Sequence, residues 1–518
     1  MNTAAAVQHG VERLARPLPV LLISTYELGH QPFGLASPAA WLRDLGATVT
    51  CLDTAVQDLD TDAVQAAELI ACYLPMHTAT RLAVPLLERT RTLNPAAHVC
   101  CYGLYAPANE GFLRKLGAQT VIGGEFEEGL CSLALRLAAE PAPEPAPEPP
   151  PGPPPEPATA AVAAVAASAQ RPEPRRLLQI EPVISLPRLR FRTPDRSELP
   201  ELSRYAYLDT GDGRRKVVGY TEASRGCKHL CRHCPIVPIY NGHFRVVQRD
   251  VVLADIRHQV AAGAQHITFG DPDFLNGPTH GLAVVRAMHQ EFPNLTYDCT
   301  IKIEHLVKHR EHLRTLRDTG CLFVTSAVES VDERILEHFD KQHTREDFVG
   351  TVRAFRELGL TMNPTFVTFS PWTTLDGYLE LLRVLAELDL ADNVPPIQYA
   401  IRLLIPRGSR LLELPQVQQL VGEFDEEKLC YPWRNPDPHV DRLYQDVMAT
   451  VMQAQRDGVG RREAFARVWD LASAARNGAR APLPAGLDRT APSQPAPSMS
   501  EPWYCCAEPT EEQFAPSV

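Results

Sequence analysis

The chain has 518 residues, with 44% apolar and 22% charged side chains and a net charge of −12. This is ample material for two or three buried cores and excludes a wholly disordered chain, while the acidic balance argues against a nucleic-acid-binding face. No apolar run reaches about 18 residues, and residues 1–10 lack the basic start and apolar centre of a signal peptide, so the sequence reads as cytoplasmic without a membrane span. The 13 cysteines, an odd number, point to metal or redox chemistry rather than a disulfide framework.

Residues 18–138 alternate apolar strands with amphipathic helices. Strands are expected at Pro19 to Ser24, Ala47 to Asp53, Leu69 to Tyr73, His98 to Gly103 and Thr120 to Gly123, and a helix from Ala39 to Leu45 closes at Gly46. This order predicts an α/β, doubly wound, Rossmann-like parallel sheet. Cys100 and Cys101, adjacent on the fourth strand, are expected to point to opposite faces as a buried pair. Residues 139–176 are rich in proline and alanine and read as a semi-rigid linker.

Residues 205–415 carry a second alternation. Strands are expected at Val217 to Ala223, Gln265 to Phe269, Thr296 to Ile301, Cys321 to Val328, Thr365 to Phe369 and Ile397 to Leu404. Helices are expected at Val251 to Ala262, Leu306 to Arg317, Arg345 to Leu358 and Gly377 to Leu388. Six βα units predict three-quarters of an eightfold barrel, whose functional groups gather at the carboxyl ends of its strands. Residues 416–476 read as helical, and residues 477–518 as a flexible tail.

Cys227, Cys231 and Cys234 follow the first barrel strand with the spacing C-x3-C-x2-C. Three thiolates on one short loop suit an iron–sulfur cluster with one iron left open. A zinc site completed by His229 or His233 is the plainer alternative. The motif and its barrel resemble the radical S-adenosylmethionine (radical SAM) enzymes. That resemblance implies a 4Fe–4S cluster on the three cysteines, with SAM as the molecule bound at the open iron. It also implies an electron donor such as flavodoxin or ferredoxin.

Further positions carry the likeness. Asp271 and Asp273, at the end of the second strand, stand where the family contacts the methionyl amino group; a turn and helix cap is the alternative. Glu329 and Ser330 resemble the family's Glu-Ser pair. Lys341 matches a lysine of subfamilies with a cobalamin-type front domain, or is a solvated charge at a helix end. His233 takes the place near adenine that is often aromatic, Arg402 is expected to meet a carboxylate inside the barrel, and Arg407-Gly408-Ser409 resembles the loop flanking adenine.

The front domain resembles the cobalamin-binding type through Gly34 to Asp53 and through Gly123 to Glu127. The Asp-x-His-x-x-Gly pattern that supplies a histidine to cobalt is absent, and His30 has the wrong spacing. The likeness therefore implies the fold, leaves cobalamin open, and implies no histidine below its cobalt.

The tail segment from Glu501 to Pro509, Glu-Pro-Trp-Tyr-Cys-Cys-Ala-Glu-Pro, resembles the CUAEP/CCAEP-tail radical SAM proteins, with Cys506 at the selenocysteine position. A branch of these resembles the arsinothricin-biosynthesis enzyme. Cys505 and Cys506 are then the implied catalytic residues of a transferase. It would join the 3-amino-3-carboxypropyl group of SAM to a small acceptor, trivalent arsenic supplied as arsenite. Two other readings stay open: a cobalamin-dependent radical SAM methyltransferase acting on a small molecule, and an iron–sulfur sensor of selenium or metalloid.

Overall fold

The computed structural model describes residues 13–140, 180–484, 487, 495–501 and 506–514. Most of the expected linker and Cys505 lie outside these residues. No helix among them is long and apolar enough to cross a membrane.

The front domain is a parallel sheet of β1 (Pro19–Ser24), β2 (Thr48–Asp53), β3 (Leu69–Tyr73), β4 (His98–Tyr102) and β5 (Thr120–Gly124), with β6 (Ile184–Ser185) at its edge. Its order is β2-β1-β3-β4-β5-β6, so the order of strand addition reverses between β1 and β3. Every strand residue of β3, β4 and β5 is buried, as a sheet covered on both faces requires. Cys100 joins the core on one face and Cys101 the core on the other.

The first helix runs Phe33–Leu45, starting well before Ala39. Pro38 made that first turn illegible. A proline has no N–H for the carbonyl four residues back, here Gly34. The Tyr102 hydroxyl donates to that carbonyl at 2.8 Å and removes the penalty.

In the barrel, β7 (Tyr207–Asp209) pairs antiparallel with β8 (Arg215–Thr221). A short antiparallel pair, β9 (Ser224–Gly226) and β10 (Phe244–Val246), brackets the cysteine loop. β8 then runs parallel to β11 (His266–Phe269), followed by β12 (Thr296–Thr300), β13 (Cys321–Glu329) and β14 (Thr361–Phe366). The fifth parallel strand sits earlier than Thr365 to Phe369 and contains Pro364, a residue uncommon inside strands.

The expected sixth strand is replaced by a 3-10 turn, Pro396–Ala400, followed by a single parallel bridge between Phe369 and Arg402, and Gln398 of the turn accepts from the Phe366 N–H on the fifth parallel strand at 3.0 Å. Pro395 and Pro396 start that turn and remove two ladder donors. The helix expected from Leu306 to Arg317 is two helices, Ile303–Lys308 and Leu313–Asp318. The C-terminal region holds the helices Pro415–Leu420, Pro438–Arg456 and Arg461–Asn477.

The tail corrects another expectation. Its described part is docked rather than loose. β15 (Ser498–Met499) pairs antiparallel with β7, and Asn363 on β14 donates to the Pro497 carbonyl at 2.7 Å. The tail thus spans the open side of the partial barrel, and Met499 packs with Leu208, Val218 and Phe323. An incomplete barrel leaves two open edges, and the tail pairs with the backbone of one and takes the Asn363 side chain of the other.

Candidate active site

The cysteine loop is held from several sides. Gly226 enters it at φ 75°, and a Cβ there would lie 2.3 Å from the Tyr240 ring, so only glycine fits. Asp271 accepts from the Ala223 N–H at 2.9 Å and from the Ser224 hydroxyl at 2.6 Å. Asn276 accepts from the Lys228 N–H at 3.1 Å and donates to the Gly226 carbonyl at 3.3 Å. The Arg232 N–H reaches the Phe339 carbonyl at 2.9 Å, and its own carbonyl accepts from the Ser409 hydroxyl at 3.3 Å. The 407–409 loop therefore does lie against the cysteine loop.

The three thiols are close enough to act on one another electrostatically. Burial pushes Cys227 up to about 12, with the Asp273 charge adding to it. Burial also raises Cys231, against the charges of Lys341 and Lys302. Cys234 is drawn below the ordinary thiol value, first by a hydrogen bond from Cys506. Desolvation keeps Cys227 and Cys231 protonated until a metal or another cation stabilises their thiolates.

A ring of buried charge surrounds the thiols. Glu329 ends β13 in the left-handed region at φ 68°. It accepts from Lys341 Nζ at 3.3 Å and meets His233 Nε2 at 3.1 Å. Burial alone would raise its carboxyl, but Lys341 and His233 overcome this and draw it to about 2. Lys341 is only 3% exposed, which removes the reading of a solvated helix-end charge. The His233 ring rests on Phe339 with centroids 4.5 Å apart, so it positions Glu329 as well as facing the site. Ser330 accepts the Asp332 N–H at 3.1 Å and shapes the turn.

Asp273 caps a 3-10 turn and also meets two histidine rings. It accepts from the Leu275 N–H at 2.9 Å, and its other oxygen lies 2.9 Å from His305 Nδ1 and 3.6 Å from His229 Nε2. These two rings hold the buried carboxyl below its ordinary range despite desolvation. Asp271 is the opposite case: burial pushes it up to about 7. Neither histidine is free to complete a zinc site on the cysteines. His233 is turned to Glu329, and His229 to Asp273 and the Lys302–Glu304 pair.

Arg402 also departs from expectation. It does not face a ligand carboxylate in the barrel. Its guanidinium meets Asp441 at 3.1 Å and Glu508 of the tail at 3.4 Å, and stacks 3.6 Å from the Trp433 ring centroid. Cys506 is buried beside Cys234. Sequence reasoning missed Lys302, Glu304, His305 and Arg225. The first three follow β12, Lys302 at the cap and Glu304 and His305 in the helix Ile303–Lys308, a position whose strand-end location is itself the signal.

Arg225, just before the cysteines, links the two domains. It is buried against Glu125 at 3.2 Å, Glu127 at 2.8 Å and Glu222 at 2.6 Å. The first two follow β5, at the carboxyl end of the front sheet, where such domains hold ligands. Tyr240 donates to Glu125 at 3.1 Å, and the His30 ring packs at a tilt against Tyr220 with centroids 4.7 Å apart. Glu501 accepts from Tyr26 at 2.5 Å, and His77 Nε2 meets the Lys428 carbonyl at 2.7 Å. These contacts tie the carboxyl edge of the front sheet to the barrel, the C-terminal region and the tail.

Comparison with known proteins agrees with this geometry. Residues 221–383 match the radical SAM superfamily model. The chain is 23% identical over 212 residues to a probable threonylcarbamoyladenosine tRNA methylthiotransferase of Archaeoglobus fulgidus, covering 39% of this chain and 49% of that protein. It thus spans about half that relative's length. Among solved structures, it resembles the cobalamin-dependent radical enzyme OxsB with aqua-cobalamin bound, at 14% identity and a TM-score of 0.58 over 85% of this chain and 67% of that one. It also resembles the methyltransferase TsrM of Kitasatospora setae with cobalamin and a [4Fe–4S] cluster bound, at 15% identity and a TM-score of 0.51 over 72% and 70%. With the family match centred on the loop of Cys227, Cys231 and Cys234, the chain carries a radical SAM domain behind a Rossmann-type domain.

Proposed function

We propose that Cys227, Cys231 and Cys234 hold a [4Fe–4S] cluster, that SAM binds at the barrel mouth beside it, and that the chain transfers the 3-amino-3-carboxypropyl group of SAM to trivalent arsenic. When bound, the cluster supplies the electron that cleaves a carbon–sulfur bond of SAM. The remaining work falls to the chain's own residues. SAM's methionyl end carries an ammonium and a carboxylate. Asp273 and Glu329 match the first and Lys302 and Lys341 the second, all four buried around the thiols. Arg402 has no part in this set.

The observation that carries the arsenic reading is the position of Cys506, delivered by the tail to the cluster loop. Trivalent arsenic is thiophilic, and a thiol at that point lies where an acceptor must meet the alkyl fragment. Cys505, Cys506 and the acceptor act together in this proposal. Flavodoxin or ferredoxin is the expected electron donor. A second reading, cobalamin-dependent methyl transfer, draws support from the fold shared with OxsB and TsrM. It requires the Arg225 and tail contacts over the front sheet to open.

The test is an anaerobic assay of reconstituted chain with SAM, arsenite and reductant, with nucleoside products identified by mass. Methylthioadenosine together with an aminocarboxypropyl arsenical is expected. A mixture of 5′-deoxyadenosine and S-adenosylhomocysteine that depends on added cobalamin would replace this reading with the second.

A further inference from the structure

We infer that Cys506 is a fourth protein thiolate of the cluster site, one that the docked tail brings to the loop and that SAM must displace. The inference rests on the cluster assignment above but not on the arsenic reading. Three observations converge on it.

The first is position. Cys506 is 7% exposed, as is Cys231, and its side chain is hydrogen-bonded to Cys234. Three thiols leave one iron of a four-iron cluster without protein sulfur, and a fourth thiol at the same point completes the set that a structural cluster takes.

The second is backbone. Cys506 adopts the left-handed region at φ 59°, costly for a residue with a Cβ and kept only where the surroundings demand it. Its carbonyl accepts from the Leu404 N–H at 3.0 Å, Ala507 bridges antiparallel to Leu403, and the Glu508 N–H donates to the Arg402 carbonyl at 2.9 Å. The kink thus sits immediately before pinned residues, at the residue that meets Cys234.

The third is how the tail is held. Around Cys506 the attachments are a short backbone ladder and the Glu508–Arg402 ion pair at 3.4 Å, all reversible. No comparable freedom exists for the three loop cysteines, which the barrel straps in place. Displacement is a ligand exchange with no redox change. The iron–sulfur bond to Cys506 breaks, the amino nitrogen and carboxylate oxygen of SAM bond to the iron, and the released thiolate takes a proton from water. The tail would then act both as cap and as gate, protecting an otherwise open iron until SAM arrives.

The test uses full-length chain reconstituted anaerobically with 57Fe, in wild-type and Cys506→Ala forms. Mössbauer spectra without SAM should show four thiolate-ligated irons in the wild type and one distinct iron in the variant. Adding SAM to the wild type should create the distinct iron. Mild oxidation should convert the variant cluster to [3Fe–4S] at least tenfold faster. SAM should bind the variant at least tenfold more tightly, because no thiolate competes. Glu508→Arg, which keeps the thiol but repels Arg402, should shift all three readouts toward the Cys506→Ala values.

A wild-type cluster that already shows a distinct iron without SAM, with oxidation rate and SAM affinity equal to those of Cys506→Ala, overturns this inference alone. Complete loss of iron from Cys506→Ala would overturn displacement by SAM, since the thiol would then be indispensable. A wild-type chain that assembles no cluster overturns the assignment of the three loop cysteines as well.

Discussion

Glu329 shows how one residue can set the electrostatics of the site. Its carboxylate is shared by Lys341 and His233 in a place closed to water, so each partner depends on it. Replacing Glu329 by Gln leaves the buried Lys341 charge without its counter-ion, at a cost of about 3–5 kcal/mol. The double variant with Lys341→Met should recover much of that loss, because the stranded charge goes too. Urea unfolding of the three chains decides it, and a single variant as stable as the wild type would show that the pair contributes nothing.

Asp271 makes a pH-dependent prediction. Its folded value of about 7 lies above the ordinary aspartate value near 3.9. The folded chain therefore holds this proton where the unfolded chain has released it. The group costs nothing below about pH 4, and its destabilising effect grows as pH rises to about 7 and then levels off. Relative to Asp271→Asn, the wild type should lose about 2 kcal/mol between pH 5.5 and 7. The same unfolding difference at pH 5.5, 7 and 8.5 checks it; a constant difference would mean that Asp271 is ionised throughout.

Among the elements, the cysteine loop and the tail strand differ in what holds them. The loop is anchored from β11, the segment after it, and the region around Phe339, by Asp271, Asn276 and backbone bonds. Losing one thiol should therefore leave the loop folded but the cluster unsupported. Alanine at Cys227, Cys231 or Cys234 should reduce bound iron and sulfide by tenfold or more after reconstitution, with little change in circular dichroism. Full iron content in any of these variants would remove that cysteine from the ligand set. β15 is held by a two-residue ladder and by Met499. Met499→Ala should cost about 2 kcal/mol through the cavity left among Leu208, Val218 and Phe323. Protease cleavage of the tail, followed by mass spectrometry, should speed up accordingly.

At the scale of the whole molecule, Arg225 joins the site to the front domain. It gathers Glu125, Glu127 and Glu222 while immediately preceding the cluster loop, so the position of that loop and the docking of the domain are mechanically coupled. Arg225→Leu strands three buried carboxylates and should cost about 3–5 kcal/mol. Calorimetry should resolve two unfolding transitions in that variant where the wild type shows one. A single transition at the wild-type temperature would mean that the domains are held together elsewhere.

The sequence by itself determined the parallel cores and the cluster loop. The five front strands and four of the first five barrel strands lie where short apolar runs between helical stretches placed them, because strands buried on both faces leave a local signature. The C-x3-C-x2-C motif was legible because its ligands share one short loop. Prolines sit at the local errors: Pro38 hid a helix turn whose freed carbonyl is met by Tyr102, Pro364 lies inside the strand that starts earlier than expected, and Pro395 with Pro396 erased another. Only the tertiary structure decided which charges meet the thiols. From β12's end Lys302 meets His229 and His305 meets Asp273, Arg402 turns to Asp441 and Glu508, and Cys506 comes from far along the chain to Cys234. Periodicity reports which face of an element is buried, whereas such pairings depend on which buried faces and open edges come together in space, and the vacant edge of a partial barrel is what draws the tail in.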